Sequence, residues 1–357
     1  MLKKICALVL TAFSLFAQEI EIPVVDMQDF YNLDKQDQFL DTIYDAMREI
    51  GFFAVRNTGM SSEVISSAYA QSEKFFKSDS DFKATCYDKA LNGQRGFVPG
   101  ERAKGESVQD YKEFYHIGKD KNLWPEQEGY REAMMTLYAE LAKYALPLQE
   151  AILLTINKKA GSQIPLDYLH RMTKEGDTLL RALYYPAVPE VTTTRFWAAP
   201  HTDIDLLTIL PFATAQGLQL FAHDQWLTIS VPDDAFVVNV GDMLENLTNG
   251  LFKSARHRVL AQMPHQDRFS MVFFLHPSSE SDISPLQPCI DITGGVQKYA
   301  PGKQYEFLWE RLLELNIAPA LLEPYSKTGH TERQMEYGRE SPQVVQMLSD
   351  KNLLQLP

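Results

Sequence analysis

The residues best equipped for chemistry in this chain are two histidines and an aspartate. His201-Thr202-Asp203 is a His-x-Asp pair at the edge of a predicted strand. Its i, i+2 spacing puts imidazole and carboxylate on one face of that strand. The pattern alone says little, because His265-Gln266-Asp267 repeats it and reads as a turn. His257 raises the first copy, since it lies on a later strand, HRVLA, in a stretch that a β fold brings back alongside. Two histidines and one carboxylate leave three metal positions open, the set suited to non-haem Fe(II). Eleven residues after His257 comes Arg268-Phe269-Ser270. A turn centred near Gln262-Met263 would form an antiparallel hairpin, with His257 and Arg268 roughly opposite on one face. Ser270 and Phe274 share that face with Arg268. An inward arginine needs an anionic partner, because an unpaired buried charge is costly. That partner is either a protein Asp or Glu, or a ligand carboxylate held bidentately beside the hydroxyl.

The elements that must hold these groups follow from hydrophobic periodicity. After Asp177, short apolar runs alternate with turn residues: LLRALYY, LLTILPF, GLQLF, WLTISV, AFVVNV, HRVLA and RFSMVFFL. Such spacing predicts an antiparallel sandwich or barrel. Upstream, IEIPVV (20–25) and GFFAV (51–55) read as strands. Asp34 and Ser61 are expected to cap two amphipathic helices. A long helical pattern starts near Tyr130, and Pro147 should kink or split it. Residues 89–105, rich in Gly and charge, read as a loop from which Arg95 or Arg102 would reach a substrate carboxylate. Asp242 is expected to N-cap a helix that Gly250 ends. Asp205 is expected beside the metal pair rather than in it, and the other histidines read as structural. From about residue 298 the pattern is helical again.

Composition narrows the function classes. The 34 Lys and Arg against 47 Asp and Glu give a net charge of −13, which repels phosphate backbones and argues against nucleic-acid binding. With 45% hydrophobic and 23% charged residues the chain is globular, with a substantial core. Three cysteines without a CxxC pair (Cys6, Cys86, Cys289) exclude a disulfide scaffold and a cysteine-rich zinc module. Residues 1–18, MLKKICALVLTAFSLFAQ, have the layout of a signal peptide, although Leu15 suits a cleavage site poorly. The apolar stretch is too short to span a bilayer comfortably. Export to the periplasm or beyond follows if it is cleaved, a cytoplasmic location if it is not.

Residues 183–277 resemble the catalytic core of the isopenicillin N synthase-like branch of Fe(II)/2-oxoglutarate-dependent oxygenases. The matching segments are Tyr184-Tyr185-Pro186, HTDIDLLTIL, GLQLF, FVVNVGDMLENLTNGLFKSARHRV and RFSMVFFLHP. Upstream, IPVVD, GFFAVRNTG and DYKEFYHIG occur in family order and spacing. The resemblance implies a double-stranded β-helix (jelly roll) flanked by helices, mainly β at its core in an α+β whole. The implied division is an N-terminal oxygenase-family region at 19–125, a helical segment at 126–177, the jelly-roll core at 178–277 and a helical extension at 278–357. By position, His201, Asp203 and His257 match the iron ligands. Arg268, Ser270 and Tyr185 match the grip on the distal carboxylate of 2-oxoglutarate, and Phe274 a position that often faces substrate. Leu183 stands where plant members usually carry Asn, and Thr58 where they usually carry His.

The implied activity is oxidation of a small molecule by O2, by hydroxylation or desaturation, with release of succinate and CO2. Fe(II) is the implied cofactor and 2-oxoglutarate the co-substrate, with ascorbate as an additional reductant. Relatives that need no 2-oxoglutarate, or form ethylene from it, keep the same motifs. A barrel that binds metal or ligand without catalysis is a more remote alternative. A monomer is expected.

Overall fold

The computed structural model describes residues 18–91, 93–101, 109–191 and 196–354. Except for Gln18, the predicted signal peptide lies outside the described residues, as does Arg102. Apolar runs bounded by turn residues form β1 (Glu19–Glu21), β2 (Val24–Asp26), β3 (Phe52–Arg56), β4 (Gly96–Val98), β5 (Glu113–Ile117), β6 (Leu179–Tyr185) and β7 (Ala198–His201). They continue as β8 (Leu207–Leu210), β9 (Leu218–Ala222), β10 (Gln225–Ser230), β11 (Phe236–Val240), β12 (His257–Val259) and β13 (Arg268–Leu275). One sheet has the order β1-β10-β9-β12-β7, the other β2-β3-β11-β8-β13-β6-β5-β4. From β6 to β13 the chain passes repeatedly between the two sheets, and its neighbours within each are antiparallel. This is the expected jelly roll.

Period-two alternation decides what each face meets. On β13, Phe269, Met271 and Phe273 join the large core under the helices, while Val272 joins a second core between the sheets and Phe274 packs against it. On β6, Leu180 and Ala182 take the helix side, and Leu183 and Tyr185 the inner side. The helices Gln36–Glu49, Ser62–Phe76 and Tyr130–Ala160 bury Ile43, Phe75 and Ile152 in the large core. Each such fully buried side chain contributes about 1.5–3 kcal/mol over an exposed one. The C-terminal helices Gln304–Glu314, Leu322–Ser326 and Pro342–Asp350 pack around their own small cluster of Leu313, Tyr325, Val344 and Leu348. Among the described residues no helix is long and apolar enough to cross a membrane.

Several local expectations need correction. The 20–25 segment is two strands divided before Val24, one in each sheet, because Pro23 has no amide to donate to a ladder. Pro147 sits inside an unbroken helix of 31 residues. Ser61 caps its helix, accepting from the Glu63 amide at 3.2 Å, whereas Lys35 rather than Asp34 occupies the other cap. His257 and Arg268 are not hairpin partners: β12 pairs with β7 and β9, and β13 with β6 and β8 in the opposite sheet. The connection between them crosses the sandwich, as jelly-roll connections do.

Candidate metal centre and anion pocket

β7 and β12 run antiparallel with His201 directly opposite His257, and their rings lie 4.4 Å apart between centroids. Asp203 follows two residues after His201, at 3.8 Å from its Nε2 and 3.7 Å from His257 Nε2. One ligand atom from each residue lies within 4.8 Å of the other two. The orientation of both rings is fixed from behind. His201 Nδ1 bonds the Ala199 carbonyl at 2.7 Å, and His257 Nδ1 bonds the Ala255 carbonyl at 3.1 Å. A carbonyl only accepts, so each Nδ1 carries the proton and each Nε2 presents a lone pair to the shared space.

The carboxylate is held just as firmly. Thr208 Oγ1 donates to Asp203 Oδ2 at 2.7 Å and Asn239 Nδ2 donates to the same oxygen at 2.9 Å, both from strands of the opposite sheet. Burial disfavours the Asp203 charge, but the two histidines and these two donors outweigh it and keep the carboxyl ionised. Burial, reinforced by His257, pushes His201 well below the usual imidazole range, so its ring is neutral at pH 7. Asp205 is a different group. Burial, then the nearby Asp203 charge, raises its pKa well above the carboxylate range. It takes the Leu275 amide at 3.0 Å and stays out of the triad.

Arg268 and Tyr185 are direct cross-strand partners on β13 and β6, and Ser270 faces Leu183. The Arg268 guanidinium lies 5.0 Å from the centre of the Tyr185 ring. Its Nε donates to the Ala215 carbonyl at 2.9 Å, while Nη1 is buried with no partner among the described residues. Nothing acidic among the described residues pairs with Arg268, which is only 3% exposed. The alternative of an internal salt bridge is therefore not what these residues form. Tyr185, Arg268, Ser270 and Phe274 line the same cavity as His201, Asp203 and His257. The donor set, two imidazole nitrogens and a carboxylate, suits Fe(II), and the orphaned Nη1 suits an anion beside it.

Four further side chains that sequence reasoning did not single out belong to this site. Thr208 and Asn239 hold Asp203, and a polar Asn in the otherwise apolar FVVNV strand was a visible signal for one of them. Lys112 and Arg181 also line the cavity. Lys112 Nζ pairs with Glu101 at 2.7 Å and Asp110 at 2.9 Å, and Arg181 Nη1 with Glu101 at 3.0 Å. Arg181 Nε donates to His116 Nε2 at 2.6 Å, and its guanidinium lies 5.0 Å from the Phe274 ring centre. Arg95 takes a different place from the expected one. It is buried, paired with Asp177 and bonded to the carbonyls of Asp120 and Gln94, and it does not line this cavity. Asp242 is not a cap. Gly241 precedes the helix Asp242–Leu247, and the Asp242 carboxylate accepts from Thr202 Oγ1 at 3.1 Å and Arg311 at 2.6 Å.

Comparison with known proteins agrees with this geometry. Residues 176–277 match the model of the 2OG-Fe(II) oxygenase superfamily, and residues 22–135 that of the N-terminal region of the non-haem dioxygenases in morphine synthesis. Jasmonate-induced oxygenase 3 of Arabidopsis thaliana is 30% identical over 287 residues, 77% of each chain. A full-length protein of Neurospora crassa, solved in complex with alpha-KG, superposes with a TM-score of 0.73 at 25% identity, covering 82% of this chain and 96% of that one. JOX2, solved with 2OG, Fe and JA, superposes with a TM-score of 0.70 at 28% identity, covering 83% and 86%. The chain belongs to the 2OG-Fe(II) oxygenase superfamily, in its isopenicillin N synthase-like branch, and is a 2-oxoglutarate-dependent dioxygenase that oxidises a small molecule.

Proposed function

We propose that His201, Asp203 and His257 hold the Fe(II), and that Arg268, Ser270 and Tyr185 hold the distal carboxylate of 2-oxoglutarate. The observation that carries this reading is the pairing, within one cavity, of three converging ligand atoms with a buried guanidinium that no acidic side chain among the described residues neutralises. When bound, the iron supplies the redox chemistry by which O2 decarboxylates the keto acid and oxidises the substrate.

The protein's part is orientation and electrostatics. His201 and His257 offer their Nε2 atoms, and ionised Asp203 lowers the net charge of a dication to about +1. Arg268 makes a charge-assisted pair with one end of the co-substrate, and the fixed β13–β6 register then sets where the other end lies. Phe274 and the aliphatic side chains Val272, Leu210 and Leu218 supply the apolar wall against which a small substrate packs. Arg95 is not assigned to substrate, because its guanidinium is already committed to Asp177.

Succinate release tests the assignment. Fe(II)-dependent turnover of 2-oxoglutarate should be present in the native chain and abolished in His201→Ala. Full turnover in that variant would refute the metal assignment.

A further inference from the structure

Arg311 lies on the helix Gln304–Glu314 of the C-terminal extension, beyond the residues that either family model matches. Its guanidinium nevertheless reaches the loop that follows β7. Nη1 donates to the Thr202 carbonyl at 2.9 Å and Nη2 donates to Asp242 Oδ2 at 2.6 Å. Thr202 Oγ1 donates to that same Asp242 oxygen at 3.1 Å. Thr202 is the residue between His201 and Asp203, so one ion pair grips it by both its carbonyl and its hydroxyl. The same helix start also holds the next stretch, because the Asp242 amide donates to the Asp203 carbonyl at 2.8 Å and the Met243 amide to the Asp205 carbonyl at 3.1 Å. Behind the guanidinium, Glu314 lies 3.1 Å from Nε, and the arginine side chain is only 13% exposed.

We infer that Arg311 is a positioning residue for the metal centre: by clamping Thr202 it sets the separation and aim of His201 and Asp203 before any metal arrives. The inference rests on the reading of His201, Asp203 and His257 as the metal ligands. The physical reason is that His201 ends β7 while Asp203 lies past it, so the ladder orders the first but not the second. Rotation about the intervening peptide would swing the two ligand atoms apart. Ordering that peptide during folding removes the cost from metal binding. The planar fork of arginine spans a carbonyl and a carboxylate together, which a lysine ammonium on a flexible stem does less well.

The test is Co(II) titration of the metal-free, full-length protein, followed by its visible spectrum, with thermal unfolding recorded without metal. Native protein should bind Co(II) and His257→Ala should not; absence of that difference would overturn the metal assignment itself. Given that difference, Arg311→Gln should bind Co(II) about 10–100-fold more weakly, with an altered ligand-field spectrum. Arg311→Lys, which keeps the charge beside Asp242, should fall between the two. Arg333→Gln is the control for loosening of the extension, because Arg333 pairs with Glu306 on the same helix at 2.7 Å and does not bond Thr202. Native Co(II) affinity and spectrum in a folded Arg311→Gln protein would overturn the inference. If that variant does not fold, native affinity and spectrum in Arg311→Lys would do the same. Equal weakening in Arg333→Gln would also overturn it, by assigning the effect to the extension as a whole.

Discussion

The cavity is lined by cations that are treated in opposite ways. Lys112 and Arg181 face Glu101 and Asp110, two positive charges against two negative, with neutral His116 completing the cluster. Burial and then Arg181 keep His116 well below its usual pKa. Arg268 is as deeply buried as Lys112, but among the described residues it has no carboxylate, and its Nη1 has no partner. A charge that the fold has neutralised is part of the fold. A charge left without its counterion in a closed site is a place for a ligand, because its desolvation has to be offset by something. By geometry alone, the contrast separates cations paired within the fold from one that is not.

The comparison can be broken most forcefully by removing one cation of each kind. Lys112→Met leaves Glu101 and Asp110 with one fewer cation, and should lower the stability of the apo protein by about 3–5 kcal/mol in urea unfolding. Arg268→Met removes an unpaired charge and should cost far less. Equal losses would erase the distinction. In binding, the order reverses. Arg268→Ala should weaken 2-oxoglutarate by about 2–5 kcal/mol, measured as its apparent affinity in the succinate assay, and an unchanged affinity would refute the role. Asn239→Ala removes one of two donors to Asp203 and should weaken metal binding by about 10-fold or more, read by calorimetry with Co(II).

A smaller effect comes from acid. Folded His116 resists protonation, while an unfolded histidine takes up its proton near pH 6.5. Between those two values the unfolded state binds more protons, so stability is complete above about pH 6.5 and is lost as the pH falls below it. The slope is up to about 1.4 kcal/mol per pH unit for each such histidine. Burial lowers His276 to about 4, and His201 is depressed as well, so both add to the slope. Unfolding measured from pH 7 to pH 5 should show this decline, and His116→Gln should make it shallower. An identical slope in that variant would show that the cluster does not hold His116 neutral.

What was legible in the sequence follows from which interactions are local. Arg-x-Ser is a two-residue period on one strand, so alternation alone places that pair on one face, whereas in His-x-Asp only His201 lies on its strand and Asp203 follows its end. The strand runs LLRALYY and RFSMVFFL coincide with β6 and β13 because their apolar residues alternate between two cores. The supposed hairpin joining His257 to Arg268 was not legible, since adjacency in sequence says nothing about a crossing between sheets. Lys112 and Arg181 gave no signal because their neutralising partner Glu101 comes from a loop whose position no periodicity sets. Asp242 read as a cap because its local sequence favours one. Its carboxylate is instead occupied by an arginine 69 residues away.

The central claim is that the triad and Arg268 together form one site for Fe(II) and 2-oxoglutarate. The most direct measurement is an anaerobic visible spectrum of the metal-free protein after addition of Fe(II) and then of 2-oxoglutarate. A weak charge-transfer band should appear only with both, vanish in His257→Ala, and require far more 2-oxoglutarate in Arg268→Ala. Iron binding that yields no such band, or a band that survives unchanged in His257→Ala, would contradict the account.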